Sequence, residues 1–194
     1  MKIRKQENRN YWVTSDLHFS HKNVIRYSNR PFANVYEMDE ALIHNWNSNV
    51  GVNDIVFNLG DFALCNQNKI IQILKRLNGI QYFIYGNHDA PMRKRAIRDF
   101  CRESGKIEIF CDTLECRFGK YHLFMSHYGH RVWNKSHHGA LHFYGHSHGS
   151  LPGIGKSVDV GIDSNELQTN YAPMRVEDVI EYLSHKDVHK IDHH

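Results

Sequence analysis

The 194-residue chain has little of what would staple it, stiffen it or take it into a membrane. Its 4 cysteines (Cys65, Cys101, Cys111, Cys116) contain no Cys-x-x-Cys pair. Reduced, mostly buried thiols are the expected state, with a cysteine-based zinc site as the lesser alternative. No apolar run approaches the ~20 residues that span a bilayer. The N-terminal "MKIRKQENRNYWVTSD" is basic but is followed by no apolar stretch of the secretory kind. A cytoplasmic protein with no membrane partner is the expectation. The net charge of +3, with His neutral, is too small by itself to mark a nucleic-acid binder. Internal repeats, low-complexity segments and linkers are missing as well. A single domain over 1–194 follows, with a mobile tail over 185–194.

What is there is histidine, 16 of them, on a chain that is 41% hydrophobic and long enough for one well-buried core. Five apolar, β-rich runs break at Gly, Asp, Asn or His: "NYWVTSD", "DIVFNLGD", "IQYFIYGNHD", "YHLFMSHYGH" and "ALHFYGHSHG". Helical spacing lies between some of them. Residues 35–49 put Met38, Ala41, Leu42 and Trp46 on one face, behind Asn34 as N-cap with Glu37 as its partner. "NKIIQILKRLNG" carries Ile70, Ile71, Leu74 and Leu77 and stops at Asn78-Gly79. "MRKRAIRDFCRESG" reads as one basic amphipathic helix, and "RVEDVIEYLSHK" as a closing helix. Strand and helix alternate in the first half, which favours parallel strands with crossover helices. The second half is richer in strand, with a hairpin turning at Gly119-Lys120. The class is α/β with mixed sheets.

Each strand run ends in ligand chemistry. The ends are Asp16-Leu17-His18, Gly60-Asp61, Gly86-Asn87-His88-Asp89, His127 and Gly145-His146-Ser147-His148. Singly, each has an ordinary reading as a polar turn or a structural histidine. Together they would gather at one edge of a sheet, where α/β folds bind ligands. In extended backbone, His146 and His148 at i and i+2 point the same way. Asp16, His18, Asp61, Asn87, His127, His146 and His148 offer nitrogen and oxygen without thiolate, which suits Zn, Mn, Fe, Co or Ni. Seven donors exceed what one ion takes and fit two ions sharing a carboxylate, an arrangement used for displacement at phosphorus.

The order Asp-x-His, Gly-Asp, Gly-Asn-His-Asp, His, Gly-His-x-His resembles the calcineurin-like metallophosphoesterases. All five blocks occur in sequence over residues 16–148. The stretch "DLHFSHKNVIRYSNRPF" is similar to a small stand-alone bacterial and phage branch of predicted phosphoesterases. The resemblance implies a four-layer α-β-β-α sandwich. It implies two divalent metal ions, manganese first, with Fe, Zn, Ni or Co as alternatives. Asp16, His18 and His148 would hold one ion, Asn87, His127 and His146 the other, and Asp61 would bridge. His88 would face the substrate as proton donor or phosphate ligand, oriented by Asp89, with Asn87 also offsetting charge on the phosphoryl group. The implied activity is hydrolysis of phosphate esters by a hydroxide bridging the ions, on phosphodiesters of nucleotides or nucleic acid. A phosphomonoesterase or nucleotide pyrophosphohydrolase is the alternative, and a non-catalytic metal-bound scaffold a remote one.

Substrate contacts are expected from the rim segment "FSHKNVIRYSNRP", where His21, Asn23, Arg26 and Arg30 would meet a phosphorylated small molecule, nucleotide or nucleic acid. Arg93, Lys94, Arg95 and Arg98 would attract an anion. The chain has little room for a cap domain, so an open site is expected. His130, His137 and His138 receive no role.

Overall fold

The computed structural model describes residues 2–3, 6 and 8–189. The expected tail over 185–194 lies partly outside the described residues. In chain order the elements begin with β1 (Lys2–Ile3), β2 (Tyr11–Thr14), α1 (Val24–Tyr27), α2 (Val35–Asn49), β3 (Ile55–Asn58), α3 (Gln67–Arg76) and β4 (Ile80–Ile84). After a 3₁₀ turn at Ala90–Arg93 come α4 (Arg95–Ser104), β5 (Ile107–Cys111), β6 (Thr113–Phe118) and β7 (Tyr121–Ser126). A second 3₁₀ turn, Ser136–His138, precedes β8 (Leu141–Tyr144), β9 (Ser157–Asp159), β10 (Met174–Arg175) and α5 (Val176–Ser184).

Two five-stranded mixed sheets result. The first has the order β10-β2-β3-β4-β5, with β2 to β5 parallel and β10 antiparallel at the edge. This is the strand–helix alternation of the first half. The second has the order β1-β6-β7-β8-β9; β6 and β7 form the expected hairpin, Phe118 opposite Tyr121, and β7, β8 and β9 run parallel. β1, β5, β9 and β10 correspond to none of the strands read from the sequence, and β6 is the first arm of the expected hairpin.

Period-two alternation sets the packing. Tyr11 and Val13, Ile55 and Phe57, and Ile84 turn from the first sheet toward Leu114, Cys116, Phe118, Leu123, Met125, Leu141 and Phe143 of the second, forming one shared core. Val176, Val179, Ile180 and Leu183 of α5 join that core. The alternate residues Trp12, Val56 and Phe83 face α2, α3 and α4 in a second core. On the outer face of the second sheet, Phe124 packs with Trp133 and Ala140.

Local chemistry explains the helix limits. The Asn34 side chain accepts from the Tyr36 and Glu37 amides, and Glu37 reaches back to the Ala33 amide at 3.0 Å, one residue earlier than a standard capping box. Ile43 is buried where Ala41 is only half-covered. In α3, Ile73 rather than Ile71 joins Ile70 and Leu74 in the core, and the helix ends at Arg76 with Leu77 as its extended C-cap, ahead of Asn78-Gly79. The basic helix expected over 92–105 is broken: Lys94 is extended (φ −67°, ψ 142°), because the chain leaves the 3₁₀ turn and restarts as α4.

Candidate metal centre

Parallel register brings the strand ends level. Thr14 pairs with Asn58, and Asn58 with Phe83, so the segments after β2, β3 and β4 leave the same edge. After β7 and β8 the chain does likewise, tied by the Gly145 amide on the His127 carbonyl at 2.9 Å. The two sheets meet here: the Ile162 amide bonds the Ser15 carbonyl at 3.1 Å, and the His146 amide bonds Asp16 Oδ2 at 2.9 Å.

Two clusters form at this edge. Asp16, His18 and His148 make one, and Asp61, His127 and His146 the other, each with its donor atoms within 4.8 Å of one another. Asp61 lies between them, its Oδ2 3.5 Å from His18 Nε2 and 3.6 Å from His127 Nε2. Its Oδ1 accepts from the His88 amide at 2.9 Å. Asn87 Oδ1 stands 3.0 Å from His127 Nε2, so the amide oxygen belongs spatially to the second cluster.

The backbone is strained into this shape. Asp16, His18, Asp61, His146 and His148 all have φ between 48° and 69°, a region L-residues rarely enter outside functional or tightly determined sites. Two glycines permit the crowding. A Cβ at Gly86 would collide with Asp61 Oδ1 and the Asp61 amide, and one at Gly145 with Ser15 Oγ and Asp16 Oδ2.

The electrostatics favour a cation. Asp16 is fully buried, and burial pushes its carboxyl up to about 7; His127 and His148 oppose the shift and Asp159 and Asp61 add to it. Its Oδ1 has no hydrogen-bond partner, nor has the buried His18 Nδ1. Burial, then His148 and Arg30, drive His18 down to about 2, so its imidazole is neutral, the form that ligates metal. Burial followed by His127 lowers His146. For His148 burial works against protonation, but Asp163 and Asp16 outweigh it and the pKa is raised. An orphaned buried carboxylate oxygen beside the neutral His18 imidazole is unfavourable alone, and the two clusters offer the donor types a divalent ion takes. None of the 4 cysteines belongs to either cluster; burial pushes the Cys101 and Cys116 thiols up to about 12.

Three expectations need correcting or placing. Arg30 is not at a solvent-facing rim. Its side chain is buried, gripping both Asp163 oxygens (2.9 and 2.7 Å) and the Asp16 and Leu17 carbonyls (2.7 and 3.0 Å). Asp89 does not bond the His88 ring. Its carboxylate takes the Asp61, Gly86 and Phe62 amides at 2.7, 2.7 and 3.0 Å and so positions Asp61. Arg26 is exposed and lies against Tyr27, outside the cleft lining. His21 and His88 do line a cleft of about 560 Å³, with His18, Asp61, His146 and His148.

Two supporting carboxylates escaped sequence reading. Asp163 Oδ2 sits 2.6 Å from His148 Nδ1, which leaves Nε2 for the cluster. Asp159 accepts from Ser147 Oγ, the Gly149 amide and the Gly161 amide at 2.6, 2.9 and 2.8 Å, holding the His146–Gly149 turn. The only signal was the doubled aspartate in "SVDVGID", after a strand of three residues.

No family model matches the chain. It is 49% identical over 83 residues to the uncharacterized protein MJ1445 of Methanocaldococcus jannaschii, covering 42% of this chain and 47% of that one. It is 38% identical over 85 residues to the Gene 66 protein of Mycobacterium phage L5, covering 42% of this chain and 41% of that one. The matches therefore span less than half the length of either relative. Among solved structures, a protein of unknown function from Aquifex aeolicus, AQ665, superposes with a TM-score of 0.66 at 18% identity, over 90% of this chain and 99% of that one. That likeness concerns the fold alone. Among the described residues no helix is long and apolar enough to cross a membrane.

Proposed function

We propose that this chain is a two-metal phosphoesterase of the calcineurin-like type, acting on phosphodiesters of nucleotides or nucleic acid. The observation that carries the proposal is Asp61: one carboxylate oxygen lies within 3.6 Å of an imidazole from each of two separate ligand clusters. We read the paired sheets as the metallophosphoesterase sandwich, with the helical layer beyond the second sheet reduced to the segment around Trp133.

Asp16, His18, His148 and Asp61 would hold one ion, and Asp61, Asn87, His127 and His146 the other, manganese being the first candidate. Bound divalent ions supply Lewis acidity toward phosphoryl oxygens and lower the pKa of a coordinated water. The chain's own groups do the rest. Asp89 and the His88 amide fix both ends of Asp61. Asp163 fixes the His148 tautomer, and the Leu59 carbonyl, 2.8 Å from His127 Nδ1, does the same for His127. His88 is exposed in the cleft, where an imidazole can hold or donate a proton at a leaving oxygen.

The test is hydrolysis of bis(p-nitrophenyl) phosphate and p-nitrophenyl phosphate after reloading with Mn²⁺. Diester turnover is expected, abolished by chelator and by Asp61→Ala, and reduced about 10²–10⁴-fold by His88→Ala, the usual worth of a positioned acid. Turnover of the monoester alone would put a phosphomonoesterase in its place. Folded, metal-loaded protein that hydrolysed neither would overturn the reading.

A further inference from the structure

Four arginines line a second concavity of about 350 Å³ with a single carboxylate among them: Arg93, Arg95, Arg98 and Arg102 around Asp99. All four are exposed. Arg95, Arg98 and Arg102 recur at i, i+3 and i+7 on α4, which stacks like charges on one helix face at a cost to the helix. Asp99 relieves only part of it, meeting Arg95 at 3.4 Å and Arg102 at 3.1 Å. Burial does not explain the face, since the residues α4 buries are Ile97 and Cys101.

The cavity is joined along the chain to the loop of the candidate metal centre. Arg93 ends the 3₁₀ turn that directly follows Asp89, a rise of about 8 Å over four residues. Its guanidinium lies 3.7 Å over the ring of Tyr85, the residue before Gly86-Asn87-His88, and Phe110 stacks with that ring at 5.6 Å. Asp112 holds the same guanidinium at 2.6 Å. The arginine face is thus anchored to the loop that carries Asn87 and His88. In the metal cleft itself, Tyr27 is 64% exposed, an open ring of the kind on which a base stacks.

Given the phosphodiesterase reading, on which this inference rests, we propose that the substrate is a nucleic-acid strand rather than a free nucleotide. Its bond to be cut lies in the metal cleft and its backbone continues onto α4, where Arg95, Arg98 and Arg102 contact successive phosphates. Guanidinium forks match phosphate oxygens and are always charged.

The test reads binding and turnover separately. Anisotropy of a fluorescein-labelled single-stranded oligonucleotide is followed against salt for wild type, for Arg95→Ala/Arg98→Ala/Arg102→Ala, and for a control triple on another cationic surface, Arg117→Ala/Lys120→Ala/Lys135→Ala. Wild type should bind with steep salt dependence. The α4 triple should bind about tenfold or more weaker, with a log–log slope shallower by about 2, since each phosphate contact on a single strand contributes ~0.7. The control triple should bind like wild type, and wild type should turn over the aryl diester. The inference fails if wild type does not bind, if the α4 triple binds as wild type does, or if both triples weaken equally, which would be bulk charge alone. Absence of aryl diester turnover in wild type would sink the proposed activity, and with it the strand as substrate, while the binding comparison would still decide whether α4 holds a strand.

Discussion

Two groups of histidines lie on this molecule, and they are built oppositely. In the candidate metal centre, His18, His127, His146 and His148 surround Asp16 and Asp61, and the buried Asp16 Oδ1 and His18 Nδ1 have no hydrogen-bond partner. On the outer face of the second sheet, His142 is fully buried among Phe124, Trp133, Tyr144 and His130, with ring centroids 5.1–5.4 Å away. Both its nitrogens are satisfied by backbone: Nδ1 donates to the Phe124 carbonyl at 3.2 Å and Nε2 accepts the His130 amide at 3.0 Å. Among the described residues no carboxylate hydrogen-bonds His142. His130 packs edge-on against Phe124, and the His137 and His138 rings lie tilted to each other with centroids 4.1 Å apart. A histidine count cannot separate a ligand set from a polar core. Carboxylates and unsatisfied atoms do.

The comparison breaks most visibly at Arg30. Its guanidinium is completely buried against Asp163, which in turn holds His148. Arg30→Met leaves that carboxylate buried without its charge partner and should cost about 3–5 kcal/mol, the usual result of halving a buried pair. Urea unfolding measures it, and a loss under about 1 kcal/mol, the range of surface pairs, would show that Arg30 is dispensable to the centre.

A smaller effect separates the two candidate metal clusters from the structural histidines. Asp163→Asn keeps the shape but weakens the hold on His148 Nδ1, and should lower Mn²⁺ affinity of the first cluster about 10–100-fold. Calorimetric titration should resolve one weakened site and one unchanged site. His142→Gln, treated the same way, should leave both unchanged. Equal weakening of both sites by Asp163→Asn would mean that the clusters are not separately supported.

Much of this was legible in the sequence, and the failures share a cause. The parallel half was readable because each strand run is four or five residues long with a helix behind it. The donors were readable because each closes such a run. Asp163 was not, because its meaning depends on Arg30, 133 residues away, and on a strand too short to show a period. Arg30 itself, in a polar stretch, looked like a substrate contact; only the fold shows that both Asp163 oxygens and two carbonyls already occupy it. Asp89 misled for a related reason. Adjacent in sequence to His88, it turns away to the amides of another loop. Sequence reports which chemistry is present, while burial and long-range pairing decide which groups meet substrate and which hold the frame.

The finest distinction is in pH. Burial drives His142 from the ordinary imidazole value of 6.5 down to about 3, against a weaker pull from the Phe124 carbonyl. The fold therefore keeps this ring neutral where the unfolded chain would protonate it. Stability from His142 is complete above pH 6.5 and is lost as pH falls toward 3, at up to about 1.4 kcal/mol per pH unit. His142→Phe removes the titration but leaves the Phe124 carbonyl and His130 amide unpaired, at about 1–3 kcal/mol. The variant should be less stable than wild type at neutral pH yet lose stability less steeply on acidification. Denaturant midpoints of both proteins, in the same metal state from pH 7 to below 5, give that difference in slope. His18, also held neutral, contributes equally to both proteins and cancels. Parallel profiles would mean that His142 is no more shielded from protons than an exposed histidine, and the contrast between a polar core and a ligand set would lose its physical basis.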